Sequence, residues 1–314
     1  MKPDILLIGP LLDSVLVALE SGYTVHRLYE AANPDTLIAK IADNTTAVVT
    51  DGGRGVEASI LERLPKVKIV TVFGVGVDAV DLDYCKKNGI AVTNTPDVLS
   101  GDVADLAVAL MLAVSRKIVE SDNYVRAGQW VTHGSMPLTT RMFGRTAGII
   151  GMGSIGVEIA KRLEGFDMDV VYCNRNKRSD VSSRYYDSAV NMARDVDYLI
   201  VAASASDSTY KMVNADVLSA LGSDGYLINI SRGTLVDQDA LIQALDNNTI
   251  KGAGLDVFVD EPNVPQALIN MKNVVLQPHQ ASATLDTRKA MGKLVTDNLS
   301  RFFSGRPLVT QYSR

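Results

Sequence analysis

The sequence predicts an α/β protein in which helices cover both faces of parallel β-sheets. Short apolar runs rich in Val, Ile and Leu alternate with helical patterns along almost the whole chain of 314 residues. This alternation is typical of doubly wound, Rossmann-like sheets. The runs are mostly apolar throughout, as expected for strands buried on both faces. At roughly 100–200 residues per domain, the length predicts two domains.

The predicted strands form two series, which indicates two α/β units. The first series comprises residues 5–9, 24–29, 47–50, 68–74 and 90–94. The second comprises residues 146–151, 169–173, 198–202, 226–230, 252–257 and 274–278. Between the series, residues 97–130 are predicted to be mostly helical and residues 131–145 to form a loop. A C-terminal helix over about residues 284–304 is predicted to cross back to the first unit.

Composition excludes several classes of protein. The net charge of −5 disfavours sequence-independent nucleic-acid binding, which needs a basic face. Cys85 and Cys173 lie far apart without a CxxC motif, so we expect neither a disulfide framework nor a zinc site, and no other metal. The apolar stretch 103–114 is too short to cross a membrane and is predicted to be a buried helix. We therefore expect a cytoplasmic protein with no nucleic-acid or membrane partner.

A glycine motif marks the start of the second unit. Gly151-Met-Gly153-Ser-Ile-Gly156 follows an apolar strand and opens a helical pattern. The first glycine permits a tight turn, the second lets a pyrophosphate approach the backbone, and the third lets the helix pack on the strand. With a strand before and a helix after, this motif predicts a dinucleotide site at the helix N-terminus.

A basic cluster follows the next predicted strand, where an NAD-preferring site usually carries a carboxylate for the ribose 2′-hydroxyl. This chain has Asn174 at that point and Arg175 directly after it. A guanidinium can bind a 2′-phosphate with charge-assisted hydrogen bonds. The cluster therefore predicts NADP(H), preferred over NAD(H), with Arg175 as the main contact. Either Arg178 or Lys177 is expected to be the second cation.

Ionisable residues follow three further strands of the same unit. Arg232, the carboxylates of the stretch 256–261, and His279 each come directly after an apolar run. Ligands of open α/β sheets bind outside the carboxyl ends of the strands. We therefore expect these groups to meet at one edge of the sheet.

These segments resemble the D-isomer-specific 2-hydroxyacid dehydrogenase family. The blocks GMGSIG, NISRGTLVD, LDVFVDEP and PHQASAT match the family in order and spacing, and residues 73–96 resemble its substrate-domain signature. The basic cluster and the segment GQW…PLTTRMFGR make the chain most similar to the NADPH-preferring glyoxylate/hydroxypyruvate reductase branch. The resemblance implies a flavodoxin-like substrate-binding domain (1–97 and 285–314), a dinucleotide-binding domain (98–284), and a homodimer through the helical stretch 97–130.

The resemblance also implies a role for each polar residue. His279 would be the general acid, Glu261 would fix the tautomer of the imidazole, and Arg232 would orient the substrate. Val75, Gly76, Arg232 and His279 would bind the substrate, with backbone N–H groups near Val75 and Gly76 holding its carboxylate. The implied cofactor-binding residues are Gly151, Gly153, Ser154, Ile155, Gly156, Asn174, Arg175, Arg178, Ala203, Ile230, Arg232, Asp256, His279 and Ala281.

Some roles stay open at this point. Asp256 either contacts the nicotinamide ring or supports a turn, and Trp130 either covers the active site or packs between subunits. His26 is interpreted as structural and His133 as a solvated loop residue. Residues 203–206 depart from the family's usual Pro-Leu-Thr pattern, which leaves the loop beside the adenine undefined.

The sequence thus predicts an NADPH-dependent enzyme that reduces glyoxylate or hydroxypyruvate to glycolate or D-glycerate. One alternative is an NAD-linked D-2-hydroxyacid dehydrogenase. The other belongs to a different class, a non-catalytic dinucleotide sensor that resembles a corepressor.

Overall fold

A computed structural model describes residues 2–313 of the chain. The chain divides into two compact units: one comprises the residues up to Leu99 together with those from Ser282 onward, and the other comprises Ser100–Ala281. The sequence predicts these junctions at residues 97/98 and 284/285. The C-terminal helix belongs to the first of these units.

The strands and helices alternate through both units. The strands are β1 (Asp4–Leu7), β2 (Thr24–Arg27), β3 (Thr45–Asp51), β4 (Ile69–Phe73), β5 (Ala91–Thr93), β6 (Thr146–Ile150), β7 (Asp169–Cys173), β8 (Arg184–Tyr186), β9 (Tyr198–Val201), β10 (Tyr226–Asn229), β11 (Gly252–Leu255) and β12 (Val274–Leu276). The helices are α1 (Asp13–Gly22), α2 (Pro34–Ile41), α3 (Ala58–Leu61), α4 (Leu82–Lys87), α5 (Ser100–Ser115), α6 (Ile118–Arg126), α7 (Gln129–His133), α8 (Ser154–Glu164), α9 (Ala189–Ala193), α10 (Ala215–Leu221), α11 (Gln238–Asp246), α12 (Gln266–Asn270) and α13 (Leu285–Phe303). Short 3₁₀ turns cover Leu28–Glu30, Asp207–Thr209 and Gly233–Leu235.

The first unit is a five-stranded parallel sheet in the order β2-β1-β3-β4-β5. Strand β4, inside the sheet, has five buried residues, as expected for a strand that helices cover on both faces. α13 packs on β4 and α1 within this unit. The strand order is that of flavodoxin-like folds, which confirms the fold predicted for this unit.

The second unit is a seven-stranded parallel sheet in the order β12-β11-β10-β9-β6-β7-β8. All the pairs are parallel, and strands β9, β10 and β11 are buried along their whole length. The chain is therefore an α/β protein with two doubly wound, Rossmann-like sheets, as predicted.

Two elements differ from the sequence prediction. The edge strand β8 was not predicted, because its three residues Arg-Tyr-Tyr form no apolar run and are at most partly buried. Helix α7 occupies the start of the segment predicted as a loop, and His133 is its last residue. Its five residues carry no side-chain cap, so the sequence offers no start signal there.

The apolar stretch 103–114 lies within α5 and contributes many of that helix's buried residues, which confirms the prediction of a buried helix. Across residues 2–313, we find no helix with both the length and the apolar character needed to span a membrane.

Candidate active site

An imidazole and a carboxylate form a close pair at the carboxyl edge of the second sheet. His279 follows β12, and its Nδ1 lies 2.7 Å from Oε2 of Glu261, which follows the neighbouring strand β11. The other carboxylate oxygen of Glu261 accepts a hydrogen bond from the backbone N–H of Phe258 at 3.0 Å. Both side chains keep about a third of their surface exposed, at 38% for His279 and 33% for Glu261. Since Glu261 engages Nδ1, Nε2 is the ring nitrogen left for chemistry.

The environment of Glu261 favours its ionised form. Burial by itself would raise the pKa of this carboxyl group. The hydrogen bonds from His279 and from the Phe258 backbone, together with the charges of His279 and Arg232, outweigh burial, so the pKa is lowered overall. Glu261 is therefore a carboxylate at neutral pH, and it accepts the Nδ1 proton of His279.

Asp256 supports the backbone that carries His279. Its side chain is fully buried, and its two oxygens accept hydrogen bonds from the backbone N–H groups of Gln280 at 2.7 Å and Ala281 at 3.0 Å. Burial raises the pKa of this carboxyl group, against the lowering effect of these two hydrogen bonds. His279 itself has a φ of +53°, an uncommon conformation for a residue other than glycine. Asp256 therefore holds the backbone that follows His279 in place.

Arg232 is placed by a turn that follows β10. The side chain of Asn229, the last residue of that strand, donates to the carbonyl oxygen of Arg232 at 2.9 Å and accepts from the backbone N–H of Ser231 at 3.1 Å. The guanidinium donates to the carbonyl oxygen of Ser231 at 2.9 Å, and its charge contributes to lowering the pKa of Glu261. Arg232, Glu261 and His279 therefore come together at one edge of the sheet.

The glycine turn lies at the same edge, after β6. Gly151 has a φ of +100°, and a Cβ atom there would lie 2.4 Å from the backbone nitrogen of Ala203. A Cβ at Gly156 would lie 2.3 Å from the carbonyl oxygen of Gly151, so this glycine allows α8 to pack closely on the turn. Both positions require glycine.

The turn fits a dinucleotide phosphate. A Cβ at Gly153 would meet no atom within 4 Å, so the space in front of the turn is open. Gly153 is also the N-cap of α8 and provides no side-chain cap, so the positive end of the helix dipole faces that space. Ser154 and Ile155 begin the helix.

The basic cluster after β7 does not act as one group. Arg175 is exposed, and its guanidinium donates to Oγ of Ser208 at 3.2 Å. Lys177 is also exposed. Arg178 instead donates to the carbonyl oxygen of Met152 at 2.6 Å and pairs with Asp180. The structure thus separates Arg178, one of the two residues expected to be the second cation, from Arg175.

Comparison with known proteins agrees with this geometry. Residues 108–281 match the model of the D-isomer specific 2-hydroxyacid dehydrogenase NAD binding domain. The chain is 44% identical over 306 residues to the hydroxyphenylpyruvate reductase of Plectranthus scutellarioides, which covers 98% of this chain and 97% of that protein. It is 43% identical over 306 residues to glyoxylate/hydroxypyruvate reductase A of Arabidopsis thaliana, with the same coverage.

The family is thereby decided. The chain belongs to the D-isomer-specific 2-hydroxyacid dehydrogenases, a family of oxidoreductases. It also resembles the crystal structure of an NADPH-dependent glyoxylate/hydroxypyruvate reductase from Sinorhizobium meliloti in complex with NADP and malonate. The TM-score is 0.93 at 41% identity, covering 100% of this chain and 97% of that one.

The remaining residues predicted for this dehydrogenase site lie at strand ends. Ala203 follows β9 and Ile230 follows β10. Ala281 is buried, and its backbone N–H donates to Asp256. Val75 and Gly76 follow β4 in the first unit, where the side chain of Asn94 donates to the carbonyl oxygen of Val75 at 2.9 Å. His26 pairs with Asp4 at 2.7 Å, which fits its structural interpretation. Trp130 is 63% exposed.

Sequence reasoning did not identify the partners that hold these groups. Asn229 is the first residue of the block NISRGTLVD and Ser208 follows the segment 203–206, but neither side chain was assigned a role from the sequence. Among residues 2–313, no group of three or more His, Cys, Asp or Glu side chains is arranged to hold a metal ion.

Proposed function

We propose that this chain reduces small 2-oxo acids to 2-hydroxy acids with NADPH. The observation that carries the proposal is the contact of 2.7 Å between Nδ1 of His279 and Glu261, beside the charge of Arg232. A proton donor and a cation at one strand edge are the two groups that reduction of a 2-oxo acid requires. NADPH, when bound at the glycine turn, would supply the hydride.

The residues of the site have distinct tasks in this reaction. Nε2 of His279 gives a proton to the carbonyl oxygen while the carbonyl carbon gains the hydride, so that the C=O group becomes CH–OH. Glu261 keeps the Nδ1 proton in place throughout and stabilises the imidazolium before transfer. Arg232 binds the carboxylate of the substrate, which orients the carbonyl carbon.

Substrate binding also involves the first unit in this proposal. Backbone N–H groups near Val75 and Gly76, at the end of β4, would hold the second oxygen of the substrate carboxylate. Glyoxylate and hydroxypyruvate are the proposed substrates, since two of the similar proteins are reductases of these compounds. The first unit is accordingly the substrate-binding domain and the second the dinucleotide-binding domain.

Arg175 supports the preference for NADPH. No carboxylate follows β7 directly, and the exposed guanidinium of Arg175 stands where the sequence pattern places the adenosine ribose. A similar protein of known structure binds NADP. An NAD-linked enzyme is the alternative that cofactor binding tests.

A homodimer is also proposed, on the evidence of exposed apolar side chains. Five side chains of α6 and α7 are apolar and at least half exposed, namely Ile118, Val119, Val125, Trp130 and Val131. Apolar surface of this kind, where contiguous, marks an interaction surface. Light scattering after size exclusion should give twice the chain mass, and Val131→Glu should shift it toward the monomer. A wild-type monomer would contradict the dimer.

We propose a cytoplasmic location, because Cys85 and Cys173 are both free and buried, as is usual in a reducing compartment. Detection of the native protein in a secreted or membrane fraction would contradict this location.

The test of function follows NADPH oxidation with glyoxylate, hydroxypyruvate and other 2-oxo acids, with NADH in parallel. Turnover should be higher with NADPH, and Arg175→Ala should weaken NADPH binding about ten- to hundredfold while leaving NADH unchanged. Arg184→Ala, at another exposed arginine, is the matched control.

Three other results would lead to different conclusions. If Arg175→Ala lowered the affinity for NADPH and for NADH equally, Arg175 would not be the contact of the 2′-phosphate. Preference of the wild type for NADH would favour the NAD-linked enzyme. Dinucleotide binding without turnover of any 2-oxo acid would favour the non-catalytic sensor.

A further inference from the structure

The peptide groups on both sides of Met152, at the tip of the glycine turn, are held by two side chains from the segment after β7. The backbone N–H of Met152 donates to Oδ1 of Asn174 at 2.7 Å. The carbonyl oxygen of Met152 accepts from Nη1 of Arg178 at 2.6 Å. The residue before, Gly151, donates its N–H to the carbonyl oxygen of Cys173 at 3.0 Å. Three polar groups of Gly151 and Met152 therefore tie the turn to the end of β7 and to the segment that follows it.

Arg178 is itself fixed in this position. Its backbone N–H donates to the hydroxyl of Tyr172 at 2.9 Å, and Tyr172 is fully buried in β7. Its guanidinium pairs with both carboxylate oxygens of Asp180, one of them at 2.9 Å. The carboxylate balances the charge of Arg178 and would repel a phosphate brought to the same guanidinium.

Asn174 is held in a similar way. Its backbone carbonyl oxygen accepts from the hydroxyl of Tyr185 at 3.2 Å, and the rings of Tyr172 and Tyr185 are in contact at 5.5 Å between centroids. Asn174 and Arg178 are thus both held by the same tyrosine pair. In sequence, the exposed Arg175 lies between these two residues, whose side chains bond to the glycine turn.

We propose that Asn174 and Arg178 are positioning residues that clamp the glycine turn, and that Arg175 alone binds the 2′-phosphate. This inference rests on the proposed function, since that function requires a dinucleotide bound at the glycine turn. The clamp sets the direction of the backbone N–H groups that meet the pyrophosphate, which NADH and NADPH share. Loss of the clamp should therefore lower the affinity for NADPH and the affinity for NADH by the same factor.

The test measures dissociation constants of NADPH and NADH by calorimetry, without any turnover. Arg178→Gln and Asn174→Ala should each weaken both cofactors by the same factor, about three- to thirtyfold for one hydrogen bond. Arg178→Lys should restore part of the affinity, since an ammonium can still donate to the carbonyl oxygen of Met152. Arg175→Ala should lower the NADPH affinity alone, and Arg184→Ala should change neither constant.

Selective loss of NADPH in Arg178→Gln would overturn the clamp and make Arg178 a phosphate contact. Unchanged constants in both clamp variants would overturn it as well. Thermal unfolding shows whether each variant folds. If Arg178→Gln does not fold, the dissociation constants of Arg178→Lys and Asn174→Ala test the clamp instead. A wild type that binds neither dinucleotide overturns this inference and the proposed function together. If the clamp variants bind both dinucleotides equally weakly, but the wild type turns over no 2-oxo acid, the proposed function alone is overturned.

Discussion

Gly233 packs against the backbone of Phe258 so closely that a Cβ atom at Gly233 would lie 2.0 Å from the carbonyl carbon of Phe258. This contact joins the turn that carries Arg232 to the loop that carries Glu261. Phe258 also donates its backbone N–H to Glu261. The distance between Arg232 and the pair formed by Glu261 and His279 therefore depends on a position where only glycine fits.

Gly233→Ala should lower the free energy of unfolding by about 1–3 kcal/mol, because the added methyl group forces two backbone segments apart. Turnover should fall as the Arg232 turn moves. Urea denaturation and steady-state kinetics measure the two effects. Gly22→Ala is the matched control, since a Cβ there meets no atom within 4 Å. Equal stability of the two variants would contradict the packing argument.

His279→Gln should reduce kcat by about 10²- to 10⁴-fold, the usual contribution of a positioned general acid. The dissociation constant of NADPH should change little, because proton donation occurs in the transition state. His26→Gln provides the control histidine, as it pairs with Asp4 in the first unit. A His279 variant with normal turnover would show that another group donates the proton.

Arg232→Lys should raise KM for glyoxylate and lower kcat, by about tenfold or more each. The lysine keeps the charge but loses the fork that binds a carboxylate with two hydrogen bonds. Arg194→Lys, at an exposed arginine beside α9, serves as the control. Kinetics that match the wild type would rule out a bidentate contact between Arg232 and the substrate.

Glu261 gives the chain a pH-dependent stability. Its pKa lies below the ordinary value of 4.5 in the folded chain, because burial is outweighed by the hydrogen bonds from His279 and Phe258 together with the charges of His279 and Arg232. Near these two pKa values, Glu261 binds fewer protons in the folded chain than in the unfolded chain. Its contribution to the free energy of unfolding is therefore present above pH 4.5 and is lost as the pH falls through the folded pKa.

Urea denaturation of the wild type and of Glu261→Gln between pH 4 and pH 7 measures this contribution. The wild type should be the more stable above pH 4.5, and the difference should shrink toward lower pH. If the stability difference between the wild type and Glu261→Gln grew as the pH fell, the folded pKa of Glu261 could not be lower than its unfolded pKa.

Both thiols should be unreactive in the folded protein. Burial, with a smaller effect from the charge of Asp81, raises the pKa of Cys85 to about 11, and burial also raises the pKa of Cys173. Thiolate is the reactive form, so iodoacetamide at pH 8 should modify neither residue until urea is added. Modification of one equivalent in the native state would show that one thiol is accessible.

Short runs rich in apolar and β-branched residues were enough to predict eleven of the strands, most of which are largely buried, as strands covered on both faces are. β8 escaped prediction for the converse reason, since an edge strand made of Arg184, Tyr185 and Tyr186 has no such run. Arg232, Glu261 and His279 were predictable because motif order along parallel strands places them at one edge.

The sequence by itself determined the α/β architecture, the glycine turn, the chemical groups of the site and their common edge, since these depend on periodicity and on the direction of parallel strands. Only the tertiary structure decided how neighbouring polar groups divide their hydrogen bonds. Arg175 and Arg178 are close in sequence, yet one is exposed beside Ser208 and the other holds Met152. Asp256 likewise lies beneath the His279 turn. Such choices depend on which partner each side chain reaches in three dimensions, and residue spacing along the chain does not contain that information.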